Sequence, residues 1–157
     1  AYLMPNLRAV DLSHTRASQS ALSDFAKKCP LLRKITWNSH CTTAFLSGQD
    51  LQTCKNLKEL YMDDSIFYGV DSHTVTLMSI EEGDRCIFRL CHKQLERVSL
   101  KNAKFSNDGH REAPQVVPQS ALLKFARCAP KLRWFRSDLT EENIAILQAQ
   151  RPEVTFT

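Results

Sequence analysis

The residues of this chain best suited to chemistry are Cys86, Cys91 and His92, in the pattern C-x4-C-H, together with His73 and His110. Two chemistries use such residues. Structural zinc takes four ligands, commonly with C-x2-4-C spacing, and no second pair completes this set. A thiol activated by an imidazole is recognised by geometry and not by order in the chain. An enzyme using Cys86 or Cys91 with a histidine is therefore one reading, and buried or bystander cysteines are the other. The chain has no Walker A, G-x-G-x-x-G, H-E-x-x-H or G-x-S-x-G motif. Four glycines leave little material for loops that cradle phosphates. The expectation is no catalytic set, no metal and no cofactor.

The elements that would position any site are announced by a repeat. QSALSDFAKKCPLLR at 19–33 returns as QSALLKFARCAPKLR at 119–133. Around it, LRAVDL begins at Leu7, LRKITW at Leu32, LKELYM at Leu57, LERVSL at Leu95 and LRWFRS at Leu132. Each reads Leu-x-x-apolar-x-apolar, except that the last ends in Ser137. The leading leucines are 25, 25, 38 and 37 residues apart. Two intervals fit a leucine-rich repeat of about 20 to 29 residues, and two fit with roughly a dozen inserted residues each. A period of two puts Val10 and Leu12 on one face and Ala9, Asp11 and Ser13 on the other. One such strand cannot bury its apolar face alone, so parallel strands must stack with helices behind them. Leu22, Phe25, Ala26 and Cys29 recur at helical spacing, as do Leu122, Phe125 and Ala126. Ser20 and Ser120 are the expected N-caps, and Pro30 and Pro130 the stops.

Stacking turns the outward positions into columns about 4.8 Å apart. The third position gives Ala9, Lys34, Glu59, Arg97 and Trp134. The fifth gives Asp11, Thr36, Tyr61, Ser99 and Arg136. The seventh gives Ser13, Asn38, Asp63, Lys101 and Asp138. Tyr, Trp and Arg are enriched in binding hot spots, so Tyr61, Trp134 and Arg97 are the candidate anchors of a partner-binding face. That face comprises Lys34, Thr36, Asn38, Glu59, Tyr61, Asp63, Arg97, Ser99, Lys101, Trp134 and Arg136. The competing reading is a solvated surface with Glu59 between Lys34 and Arg97, a charge ladder worth roughly 0.2 to 1 kcal/mol per pair. The second position gives Arg8, Arg33, Lys58, Glu96 and Arg133. Its cations are either solvated or form a basic rim (Arg8, Arg33, Lys58, Arg133) for an acidic peptide or a phosphate.

The segment CPLLRKITW, with its helix and Cys before the strand, resembles the cysteine-containing leucine-rich repeats of F-box/LRR proteins, the substrate adaptors of ubiquitin ligases. It also resembles the ribonuclease-inhibitor type. The resemblance extends from Leu7 to the end of the chain. It implies an α/β horseshoe with parallel strands on the concave face and helices on the convex face. By the same resemblance, the role would be target selection for ubiquitylation.

The whole of residues 1–157 reads as one repeat domain. Within it, residues 139–157 read as a capping helix and strand. Thr140 is the expected N-cap, Ile144, Leu147 and Ile146 the inward residues, and Val154 and Phe156 the last strand. The start enters a repeat with only Leu3 and Met4 as apolar cover, which predicts the C-terminal part of a longer protein. The insertions, around 63–85 and 103–119, project as loops. KFSNDGHREAPQVVPQ in particular reads as loop because it is polar and carries Pro114 and Pro118.

Composition agrees with a globular chain: 43% hydrophobic and 24% charged, net charge +4. No apolar run approaches the roughly 18 to 20 residues that span a bilayer, and no signal peptide is visible. Six cysteines, four of them just ahead of a leading Leu, read as buried thiols in a reducing compartment, cytoplasmic or nuclear. The partner expected is a protein. A membrane is excluded. Nucleic acid is disfavoured because acidic residues interrupt the inner columns, and nothing points to a small-molecule substrate.

Overall fold

The computed structural model describes residues 4–39, 41–42, 54–68, 93–106 and 113–157. In chain order its elements are β1 (Ala9–Asp11), α1 (Gln19–Lys28), β2 (Lys34–Thr36), β3 (Cys41–Thr42), β4 (Glu59–Tyr61), β5 (Ile66–Tyr68), β6 (Arg97–Ser99), β7 (Lys104–Ser106), β8 (Gln115–Val116), α2 (Gln119–Cys128), β9 (Trp134–Arg136), α3 (Glu141–Gln150) and β10 (Thr155–Phe156). The chain is α/β. Six strands form one sheet in the order β1-β2-β4-β6-β9-β10, and every pair in it is parallel.

Register in this sheet follows the repeat. Ala9 lies opposite Lys34, Lys34 opposite Glu59, Glu59 opposite Arg97 and Arg97 opposite Trp134. The even positions face the core. Ile35, Leu60, Val98 and Phe135 are buried, with Val10 packed against them. Leu32, Leu57, Leu95 and Leu132 are each at most 1% exposed, while Leu7 is half-buried. Each fully buried leucine stabilises the fold by about 1.5–3 kcal/mol. The sixth position is filled by Leu12, Trp37, Met62 and Leu100, and in the fifth unit by the small Ser137, all buried.

After β1, β2, β4 and β6 the chain turns through one residue with left-handed backbone: His14, Ser39, Asp64 and Asn102, with φ of 57°, 55°, 56° and 57°. They occupy the same place in four units. Asn and Asp tolerate this conformation better than most residues. Past the turn a second sheet forms, in the order β3-β5-β7-β8. Cys41 pairs with Ile66 and Ile66 with Lys104, in parallel. Each of these residues lies nine places beyond its leading leucine (41−32, 66−57 and 104−95). Here the loop expectation needs correcting. Ile66–Tyr68 and Lys104–Ser106 are strands, and Gln115–Val116 returns antiparallel to β7. The partners of Ile66–Tyr68 are Cys41–Thr42 and Lys104–Ser106, too far along the chain for local composition to give any sign of them. Residues 69–92 and 107–112 of the insertions lie outside the described residues.

Helices cover the core face. α1 buries Leu22, and α2 buries Ala121, Leu122, Phe125 and Ala126. Phe125 meets Phe135 of β9 at 5.2 Å between ring centroids. The expected caps were two residues late. α1 begins at Gln19, and Ser18 is its N-cap, its hydroxyl accepting from the Ala21 N–H. α2 follows Pro118, which has no side-chain acceptor to offer, so Ser120 lies inside the helix. Thr140 does cap α3, accepting from the Asn143 N–H at 3.3 Å, with Glu141 and Glu142 in the first turn. Leu147 is buried and Ile144 packs against the core, but Ile146 is 46% exposed. Val154 and Phe156 close the core.

Arg151 ends α3 and stabilises the end of α2. Its Nη1 donates to the carbonyls of Ala126 and Ala129 at 2.7 and 2.6 Å. A cation at a helix C-terminus satisfies orphan carbonyls and complements the helix dipole.

Candidate functional site

The outward positions of β1, β2, β4, β6 and β9 share one face of the six-stranded sheet, as their register requires. At its centre four side chains interlock. The Lys34 ammonium lies 4.8 Å from the centre of the Tyr61 ring. The Arg97 guanidinium lies 4.8 Å from the centre of the Trp134 ring. The two rings are tilted at 42° with centroids 6.0 Å apart. Arg97 Nε donates to Tyr61 Oη at 3.3 Å, and Tyr61 Oη donates to Glu59 Oε2 at 3.0 Å. Cation–π contacts of this kind are worth about 0.5–1 kcal/mol at exposed sites. Their effect here is to hold two long cationic side chains in place.

Tyr61 and Trp134 stand on β4 and β9, with β6 between them. Ser99 occupies the fifth position on β6, opposite Tyr61 in register, and is 0% exposed. Ser99, named among the expected partner-binding residues, is thus buried in the free chain. Its hydroxyl donates to Asp63 Oδ1.

The seventh column is also partly internal. Ser13 Oγ accepts from the Asn38 N–H at 3.0 Å, Asn38 Oδ1 from the Asp63 N–H at 2.9 Å, and Asp63 Oδ1 from the Lys101 N–H at 2.8 Å. Each unit's side chain thus holds the backbone of the next. Asp63 additionally pairs with Arg136 Nη1 at 2.8 Å, and Lys101 pairs with Asp138 at 2.8 Å. At the edge of the face, the Ser13 hydroxyl and then the Ser13 N–H hold the Asp11 carboxyl below the usual carboxylate range. Thr36 is half-buried between Asp11 and Tyr61 in register.

The second-position residues line one end of the strands. Lys58 bonds Glu96 at 2.6 Å, and this bond is the main reason the Glu96 carboxyl lies below its ordinary range. Arg8, Arg33 and Arg133 are exposed and have no ion-pair partner among the described residues. Beside Arg133 an open depression is lined by Glu96, Pro130, Lys131, Leu132 and Glu153.

Cys86, Cys91, His92, His73 and His110 lie outside the described residues. Cys29 and Cys54 are buried, three residues before Leu32 and Leu57. Burial pushes the Cys54 thiol up to about 11. Cys128 departs from this pattern. It is exposed, and Ala129 fills the buried place at the end of α2. Among the described residues no group of three or more His, Cys, Asp or Glu is arranged to hold a metal ion, and no helix is long and apolar enough to cross a membrane. No protein-family model matches the chain, and no curated protein matches it either.

Proposed function

We propose that this chain is a protein-recognition module, built as a leucine-rich repeat solenoid whose open sheet face is the concave docking surface. The observation that carries the reading is the locked cluster of Lys34, Tyr61, Arg97 and Trp134 on that face. Aromatic and arginine side chains already held in one geometry lose little entropy on binding, which is what an anchor requires. The solenoid itself is supported by three features that recur in phase: parallel strands in register, left-handed turn residues at one position, and second-sheet strands nine residues after the leading leucine. On the resemblance to F-box/LRR proteins, the wider role is target selection for a ubiquitin ligase in the cytoplasm or nucleus. The module does no chemistry of its own in this reading.

The test is affinity capture with wild-type protein and a Tyr61→Ala/Trp134→Ala variant that remains folded by circular dichroism. Wild type should retain specific proteins that the variant loses. Equal retention by the two would remove the open face as the docking surface.

A further inference from the structure

We infer that the open face recognises an oxyanion on an acidic protein segment, received by the guanidinium fork of Arg97, which lies over the Trp134 ring and bonds the Tyr61 hydroxyl. This rests on the recognition reading above. Four cations stand on the face, and two are neutralised within it: Lys101 by Asp138 and Arg136 by Asp63. Lys34 and Arg97 have no ion-pair partner among the described residues. Arg97 lies opposite Glu59 in register, yet the Glu59 carboxylate receives the Tyr61 hydroxyl instead. Arg97 uses Nε on Tyr61, its plane is held over Trp134, and its two Nη groups bond no described residue. Those groups present parallel N–H donors, the geometry that binds carboxylate or phosphate through two bonds at once.

The surroundings favour the same charge. Along the second-position column Glu96, just before Arg97, is paired with Lys58, which leaves Arg8, Arg33 and Arg133 as that column's exposed cations without an ion-pair partner among the described residues. Long-range attraction from such a rim raises the rate of encounter with an acidic segment. The Trp134 ring and the Tyr61 hydroxyl hold the guanidinium in place, so little side-chain freedom is lost when it binds. A protein segment is favoured over a nucleic acid because only two cations of the face, Lys34 and Arg97, lack an ion-pair partner among the described residues, too few to follow a continuous phosphate backbone.

The experiment is selection of random dodecapeptides displayed on phage against the immobilised wild-type chain. Fluorescence anisotropy on the best peptide follows, using wild type, Arg97→Gln, Arg97→Lys and Trp134→Ala. Selected peptides should be enriched in Asp and Glu. Arg97→Gln should weaken binding about tenfold or more, and Arg97→Lys by a smaller factor, since hydrogen bonds to charged groups are worth that much. Replacing the key Glu of the peptide with Gln should cost as much as Arg97→Gln. Phosphoserine at that place distinguishes phosphate from carboxylate, the tighter peptide naming the source. Full affinity with Arg97→Lys or with the Gln peptide overturns the fork. Peptides that need Trp134 but carry no acidic bias overturn the oxyanion and leave the recognition face standing. No selected peptide, or peptides indifferent to both Trp134 and Arg97, overturn the recognition face as well. A single-stranded oligonucleotide that binds more tightly than any peptide, with loss on Arg97→Gln, overturns the protein segment in favour of nucleic acid.

Discussion

Asp63 should be the side chain on the open face whose loss most damages the fold. Its Oδ1 accepts from the Lys101 N–H at 2.8 Å and from the buried Ser99 hydroxyl, and its Oδ2 pairs with Arg136 at 2.8 Å. Asp63→Ala strips two donors of their acceptor. An unsatisfied buried donor costs about 1–3 kcal/mol, and the half-exposed Arg136 pair adds less than about 1 kcal/mol. Lys101 is only half-buried and recovers part of its loss from water, so the expected destabilisation is about 2–4 kcal/mol. Asp63→Asn keeps Oδ1 as an acceptor but removes the charge and replaces the Oδ2 that accepts from Arg136 with an amide that can turn to water. It should cost less than about 1 kcal/mol. Urea denaturation followed by circular dichroism measures both. The reasoning fails if Asp63→Ala lies within about 0.5 kcal/mol of wild type, as an ordinary surface change would, or if Asn is as damaging as Ala.

Three further outcomes follow. Ser137 Oγ is buried without a hydrogen-bond partner among the described residues, so Ser137→Ala should be neutral or stabilising by up to about 1 kcal/mol in the same denaturation assay. The Glu96 carboxyl titrates below its ordinary value because of Lys58. The stability difference between wild type and Glu96→Gln should therefore be fully present above the unfolded carboxyl's value of 4.5 and vanish as pH falls through the lower folded value, which denaturation at stepped pH would read. Among Cys29, Cys54 and Cys128, site-resolved mass spectrometry should find Cys128 alkylated first and Cys54, neutral and buried, far more slowly.

Much of this architecture is written at short range. Leu32, Leu57, Leu95 and Leu132 mark the strands because apolar residues at every second place fall on one face of extended chain, and that face must be buried. Lys34, Glu59, Arg97 and Trp134 hold the same place two residues after those leucines, and the strands pair with these places in register although the units differ in length. What stayed illegible depends on partners far along the chain. Lys104–Ser106 looks like loop until Ile66–Tyr68 is beside it. Ser99 looks like a surface residue, yet it is 0% exposed and its hydroxyl bonds Asp63, 36 residues away. Asn38 and Asp63 stand among the expected binding residues, and what the sequence does not show is that each, like Ser13, also holds a backbone N–H of the next unit. The turn at Ser39 and Asp64 had a local signal, polar residues just past each strand, but nothing in the sequence gave its left-handed backbone.

The chain has two tryptophans, and the structure separates them: Trp37 is 0% exposed in the core, while Trp134 is half-buried on the open face. Acrylamide quenching of tryptophan fluorescence thus reports on Trp134, and it tests the docking surface directly. Saturating the protein with a selected peptide or a captured partner should lower the quenching constant toward that of a buried indole. A bound partner that leaves quenching unchanged would contradict the account, because the anchor would still be facing water.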